Sequence, residues 1–319
     1  MKTLLAMHTY KRPHYSKSEE EFLDLFFRPF EPIEDAFGNL YFEVNGGGDV
    51  LFCAHSDTVH RGEGRQKPRR KGDLLLAPKG DVLGADDGAG LWMIYQILKS
   101  DIPCHCVITR GEEVGGLGAK YILENNLEWL SQFKKAVAFD RRGVSSVITH
   151  QWSGRCCSDI FAESLATALN EQLEDGFFLP DDTGVFTDTA IWVDVIPEGT
   201  NISVGYSFEH SENESLDTKF LKELRDAVLR VDWAALPVER DPLEIEYKPQ
   251  TWGNYRRSEV TEPYDAGDLA EMKYADVVKW VEKTDPREVA ELLLDLADKI
   301  IYPEPSAEKY EDRLAAGMW

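Results

Sequence analysis

Short, almost wholly apolar runs alternate along much of this chain with segments whose apolar residues recur at three- and four-residue spacing. The runs FGNLYFEV (37–44), DVLFCAHSD (49–57), CHCVITR (104–110), KAVAFDRRG (135–143) and NISVGYS (201–207) read as strands. Continuous apolar character bounded by turn residues suits a sheet covered on both faces. The first two are split by NGGG, a turn. Helical spacing marks SKSEEEFLDLFF, where Ser16 and Glu19 form a capping-box pair and Phe22, Leu25 and Phe26 share a face. It marks also GAGLWMIYQILKS (88–100), with Leu91, Ile94, Tyr95 and Leu98, then GLGAKYILENN (116–126), SDIFAESLATALNEQL (158–173) and the segment around LDTKFLKELRDAVLRV (216–231).

This alternation predicts an α/β domain over residues 1–238, with a mostly parallel or mixed central sheet and helices on both faces. Past ALPVERDPLE the composition turns aromatic and polar, in YKPQTWGNYRRSE, and residues 239–319 read as a mainly helical C-terminal extension that packs on the domain or forms an oligomer contact. Its clearest helix is capped by Asp285, has Pro286 at the first helical position and Glu288 closing the box, and carries the stripe Val289, Leu292, Leu293, Leu296 and Ile300.

Composition narrows the function classes. A 319-residue chain with 43% hydrophobic residues and a mean hydropathy of −0.38 fits a soluble domain plus an appendage. No apolar stretch is long enough to span a bilayer, and the N-terminal MKTLLAMHTYKRP is too short in its apolar run for a signal-peptide core. Five cysteines, an odd number that includes Cys156 and Cys157, show no CxxC spacing. They suggest buried structural thiols and a cytoplasmic location rather than a disulfide framework. The formal net charge of −23 speaks against nucleic acid as partner. The one basic cluster, RGEGRQKPRRKGD (61–73), reads as a solvated surface loop.

The candidate chemistry lies where strands end. VLFCA runs into His55-Ser56-Asp57, CVIT through Arg110 and Gly111 into Glu112-Glu113, and AVAF into Asp140. Between two of these strands lies LGADDGAG, with adjacent carboxylates Asp86 and Asp87 among small residues, and His210 follows the last strand closely. Ligands of open α/β sheets bind beyond the carboxyl ends of strands, so these groups would reach one edge. Two carboxylates confined together need cations or donors beside them. Imidazole with carboxylate suits zinc, and also cobalt or manganese. Singly, each residue has a bland reading as a cap, turn or core residue, and His8, His14, His60, His105 and His150 are placed in that class. No glycine-rich phosphate fingerprint follows a strand.

The ordered set HSD (55–57), GADDGAG (84–90), EEVGGLGA (112–119), FD (139–140) and HSENE (210–214) resembles the co-catalytic zinc exopeptidases, a superfamily of aminopeptidases, tripeptidases, carboxypeptidases and aminoacylases on a phosphorylase/hydrolase-like α/β fold. The likeness spans about residues 35–230. It implies two divalent metal ions, zinc before cobalt or manganese, with Asp86 bridging them, His55 and Asp140 on one, and Glu113 and His210 on the other. It implies further that Asp57 orients the His55 imidazole, that Asp87 stands behind the ligands, and that Glu112 is the general base for a water attacking an amide carbonyl. Asp188, in FTDT, resembles a position behind the ligands after which the family places its pocket wall.

The implied activity is amide hydrolysis by an exopeptidase acting on short peptides. Deacylation of N-acylated amino acids at the same site and a silent binding protein of this fold are the alternatives. Only residues 141–209 separate Asp140 from His210, too few for a separate lid domain. That interval resembles the single-domain aminopeptidases, whereas HSENE resembles the tripeptidases, so the substrate class stays open. Arg141 or Arg142 could take a substrate carboxylate or form a structural ion pair. A homo-oligomer is compatible with the sequence, and neither a nucleic acid nor a membrane partner is expected.

Overall fold

The computed structural model describes residues 2–152, 154–174 and 177–243, and residue 280. The chain divides into two units between Tyr247 and Lys248, and the account below concerns the first. The helical extension expected over 239–319, with its Asp285 cap, lies outside the described residues apart from its first five and Trp280.

Eight strands form the central sheet: β1 (Ile33–Glu34), β2 (Leu40–Val44), β3 (Val50–His55), β4 (Cys104–Thr109), β5 (Lys135–Arg141), β6 (Ser146–Ile148), β7 (Leu179–Asp181) and β8 (Glu198–Ser203). Their spatial order is β7-β6-β8-β5-β3-β4-β2-β1. The central four, β8, β5, β3 and β4, run parallel. β6 is antiparallel to β8, and β2 and β1 are antiparallel additions at the other edge. The sheet is therefore mixed, with a parallel centre.

The parallel strands are buried on both sides, which is why their sequences read as unbroken apolar runs. Along β3 the two faces alternate. Phe52 and Ala54 join a core with helices α1 (Lys2–Met7), α2 (Lys17–Phe26), α3 (Ala85–Ile97), α5 (Asp159–Asn170) and α6 (Thr218–Val228). Leu51 and Cys53 face the opposite layer, with Ala119 and Ile122 of α4 (Leu117–Asn125) and with Trp192. Phe52 is fully buried between Phe139, stacked at 5.5 Å, and Trp233, edge-on at 4.8 Å. Phe52→Ala should lower unfolding stability by about 3–5 kcal/mol in urea melts, because a cavity adds to the lost transfer energy.

Local signals account for the helix starts. Ser16 caps α2 by accepting the Glu19 N–H, Ser158 caps α5, and Asp217 caps α6. Three sequence expectations change. The basic segment 61–73 is no simple loop but contains the strands Gly64–Arg65 and Arg69–Lys71, the latter exposed and paired with Leu74–Leu76. NISVGYS does not stay one strand. Gly205 turns at φ +93°, and Tyr206–Ser207 joins a separate four-stranded sheet. The helix read from residue 88 begins at Ala85, although Asp86 (φ −81°, ψ 107°) and Asp87 (φ −108°, ψ 44°) are not helical. The described part of the interval between Asp140 and His210 holds β6, α5, β7 and β8, the short strands His150–Gln151, Gly154–Arg155 and Tyr206–Ser207, and a 3-10 turn at Asp188–Trp192, without an inserted domain. Among the described residues, no helix is long and apolar enough to cross a membrane.

Candidate metal centre

Because β3, β4 and β5 are parallel neighbours, their carboxyl ends lie on one edge: His55 closes β3 in register with Thr109 of β4, and Asp140 sits near the end of β5. The loop after β4 carries Glu112 and Glu113, and the start of α3 carries Asp86. His210 enters from the turn after Tyr206–Ser207, with a left-handed backbone at φ +62°.

These side chains meet in two groups that share one residue. Donor atoms of His55, Asp86 and Asp140 lie within 4.8 Å of one another, as do those of Asp86, Glu113 and His210. Asp86 divides its oxygens between them. Oδ1 is 3.1 Å from His55 Nε2, and Oδ2 is 3.2 Å from His210 Nε2. His55 Nε2 is also 3.7 Å from Asp140 Oδ1, and His210 Nε2 is 3.1 Å from Glu113. Glu112 stands beside the first group, 3.9 Å from His55 Nε2.

Asp57 does more than orient the imidazole. His55 Nδ1 lies 3.1 Å from the Asp57 carbonyl and 3.5 Å from its carboxylate, which leaves Nε2 to face the cluster. The Asp57 carboxylate also accepts the N–H groups of Gly111, Glu112 and Glu113 at 2.9, 3.1 and 3.2 Å. One fully buried side chain thus holds the first histidine and the glutamate pair. Burial would raise its pKa, but the His55 imidazole and the Glu112 N–H keep it below the usual carboxylate range.

The paired aspartates part company here. Asp87 is fully buried and spends its carboxylate on the His55 N–H at 3.1 Å and the Gly90 N–H at 2.9 Å. Gly90 is needed for this approach: a Cβ there would lie 2.3 Å from Asp87 Oδ1 and 2.6 Å from the Phe139 carbonyl. Gly84, at φ +69°, turns the chain into α3 in a conformation that suits glycine.

The sequence reading assigned no role to Glu214, which the structure makes the clamp of the Asp86 loop. Its carboxylate accepts four consecutive backbone N–H groups, from Leu83, Gly84, Ala85 and Asp86, at 2.7 to 3.2 Å. The only sequence signal was its place at the end of HSENE. Asn201 and Tyr206 were also missed. Asn201 exchanges two hydrogen bonds with the Asp140 backbone, and Tyr206 donates to Asp140 Oδ1 at 3.1 Å. Asp188 is buried behind the cluster and accepts the Thr109 hydroxyl. His8 and His60 sit elsewhere, bonded to the Leu4 carbonyl and to Thr58, and burial lowers both to about 4. All five cysteines are buried and unpaired.

The electrostatics call for positive charge. Burial, with Asp140, Asp188 and Asp86 close by, pushes Glu112 up to about 10 against the pull of His55. Burial and neighbouring carboxylates likewise raise Asp140 to about 6 and Asp188 to about 7. So many carboxylates in one dry pocket resist ionising together, and divalent cations between them would reverse that tendency. The donor set, two imidazoles and three carboxylates in two groups joined by one Asp, fits a pair of such ions. A cleft of about 530 Å³ opens above, with Asp86, Glu112, Glu113, Asp140 and His210 in its wall.

No protein-family model matches the sequence, and no curated protein matches it. Solved structures do. The aminopeptidase PepT of Bacillus cereus superposes with a TM-score of 0.61 at 17% identity, covering 72% of this chain and 95% of that one. A tripeptidase of Staphylococcus aureus gives 0.55 at 16% identity, covering 72% and 96%. The TET1 peptidase of Pyrococcus horikoshii, described as assembling into a tetrahedron or a large octahedral shell, gives 0.53 at 17% identity, covering 71% and 97%. The chain has the α/β fold of these peptidases, which is the fold its resemblance to the co-catalytic zinc exopeptidases implies.

Proposed function

We propose that this protein is a two-metal amide hydrolase, an exopeptidase that removes residues from short peptides. The observation that carries this reading is the division of Asp86 between two groups, each with its own histidine and second carboxylate, with Glu112 next to His55 in the wall of the same cleft. His55, Asp86 and Asp140 would hold one ion, and Asp86, Glu113 and His210 the other. When bound, such ions polarise the scissile carbonyl and make the attacking water acidic near neutrality.

Glu112 takes the proton of that water as its oxygen attacks the carbonyl carbon. As the carbon–nitrogen bond breaks, the same carboxyl gives the proton to the leaving amine. Glu113 cannot share this work, because a carboxylate engaged as a ligand is not free to shuttle protons. Asp57 holds both glutamates in place by accepting their backbone N–H groups. Self-association is part of the reading, on the example of the Pyrococcus peptidase.

The test is turnover. Full-length protein loaded with zinc, cobalt or manganese should release the N-terminal residue from unblocked di- and tripeptides, and chelation should abolish it. Folded, metal-loaded protein that cleaves no unblocked peptide would end the exopeptidase reading.

A further inference from the structure

The cleft above the metal centre is not uniformly acidic. Its wall opposite in character to the carboxylates contains Lys120, Arg141 and Arg142, in a chain whose formal charge is −23. Four carboxylates at the centre, Asp86, Glu112, Glu113 and Asp140, would be balanced in charge by two dications. The sign of the remaining cleft is then set by three cations against Glu209, the further acid in its lining.

These cations are not all engaged. Arg142 is bound to Glu209 at 3.0 Å and is well exposed. Lys120 is exposed on α4 and has no ion-pair partner among the described residues. Arg141 is mostly buried. It donates from Nη2 to the Thr183 hydroxyl at 2.9 Å and lies 3.5 Å from the Asp181 carboxylate, a loose contact. That carboxylate is already taken by Ser146 and Thr183. The Arg141 Nε has no hydrogen-bond partner among the described residues. A buried guanidinium N–H without an acceptor is costly, and a planar fork with free donors is shaped for a carboxylate.

Position says where that carboxylate belongs. Arg141 follows Asp140 directly on β5, and although successive strand residues ordinarily face opposite ways, the ladder with β8 is irregular between Asn201 and Ser203 and both residues line the one cleft. An anion on Arg141 would therefore share that cleft with the carbonyl held at the centre. We propose that Arg141, with Lys120 and Arg142 around it, binds a carboxylate of the substrate, so that the preferred peptides are short and carry a negative charge close to the scissile bond. This rests on the exopeptidase reading above. The charge has two sources, a free C-terminus or an acidic side chain, and both present the same group to the fork.

The experiment compares matched peptides on metal-loaded full-length protein. Ala-Ala-Ala is set against its C-terminal amide, and amidated Ala-Glu-Ala against amidated Ala-Gln-Ala. At least one pair should show about tenfold or greater preference in kcat/KM for the charged member, carried mainly by KM. The pair that shows it names the source. Arg141→Met should reduce the preference toward unity while metal content stays at the wild-type level. Lys120→Met, at an exposed and unpaired position, gives a second reading that does not depend on a buried change, and should weaken the preference several-fold. Equal rates for both members of each pair, or a preference untouched by both substitutions, would overturn the proposal while leaving the exopeptidase intact. Absence of turnover on every peptide would instead remove the exopeptidase reading, and this inference with it.

Discussion

Asp86→Ala should cost the protein both ions at once. Elemental analysis of wild-type protein purified without chelator and briefly loaded with zinc should find about two ions per chain. The variant should fall below one under the same treatment. Outer partners of metal ligands are commonly worth ten- to a hundredfold in affinity, so a ligand shared by two ions should be worth more than about a hundredfold. The effect has a readout that separates it from misfolding. Against the upward push of burial, the His210 and His55 imidazoles hold the Asp86 carboxyl below the usual carboxylate range, so deleting it removes two favourable contacts from the metal-free protein. The melting temperature without metal should therefore fall modestly while the unfolding transition stays cooperative. What disappears is the increase on adding zinc, since a ligand that binds only the folded state stabilises it by mass action. A variant that still holds two ions would show that Asp86 is not the bridge.

Glu112→Gln should do the opposite, keeping the metal and losing the reaction. The amide is the same size as the carboxylate and Glu112 belongs to neither donor group, so both ions remain. A general base contributes typically 10²- to 10⁴-fold, and kcat should drop by about a hundredfold or more with little change in KM. Glu113→Gln is the control, because it should lower metal content first. Near-wild-type turnover by Glu112→Gln would remove Glu112 from the chemistry.

Much of this molecule is written locally. The strands around Phe52, Val107 and Val137 are legible because a strand covered on both faces has no polar side to show. The cap at Ser16 is legible because the bond it makes spans three residues. Short strands were harder. Ser146–Ile148 and Leu179–Asp181 have three residues each, and no periodicity can be read from so few. Exposed Arg69–Lys71 is a strand only because Leu74–Leu76 pairs with it.

The sequence by itself determined which groups the active edge can hold. Apolar runs end at His55, at Glu112-Glu113 and at Asp140, and imidazole beside carboxylates is chemistry suited to binding cations and moving protons. What it left open was the choice between identical neighbours and the parts that hold them. Asp86 and Asp87 are indistinguishable in the local pattern. They differ because the backbone N–H groups of His55 and Gly90 occupy Asp87, while the oxygens of Asp86 face two histidines, one 31 residues before it and one far beyond. Glu214 reaches the Asp86 loop across 128 to 131 residues, and Asp57 reaches the glutamate pair across 55 and 56. Such bonds leave no periodic trace, because they depend on which strands are neighbours. Only the order of the parallel strands brings those ends together.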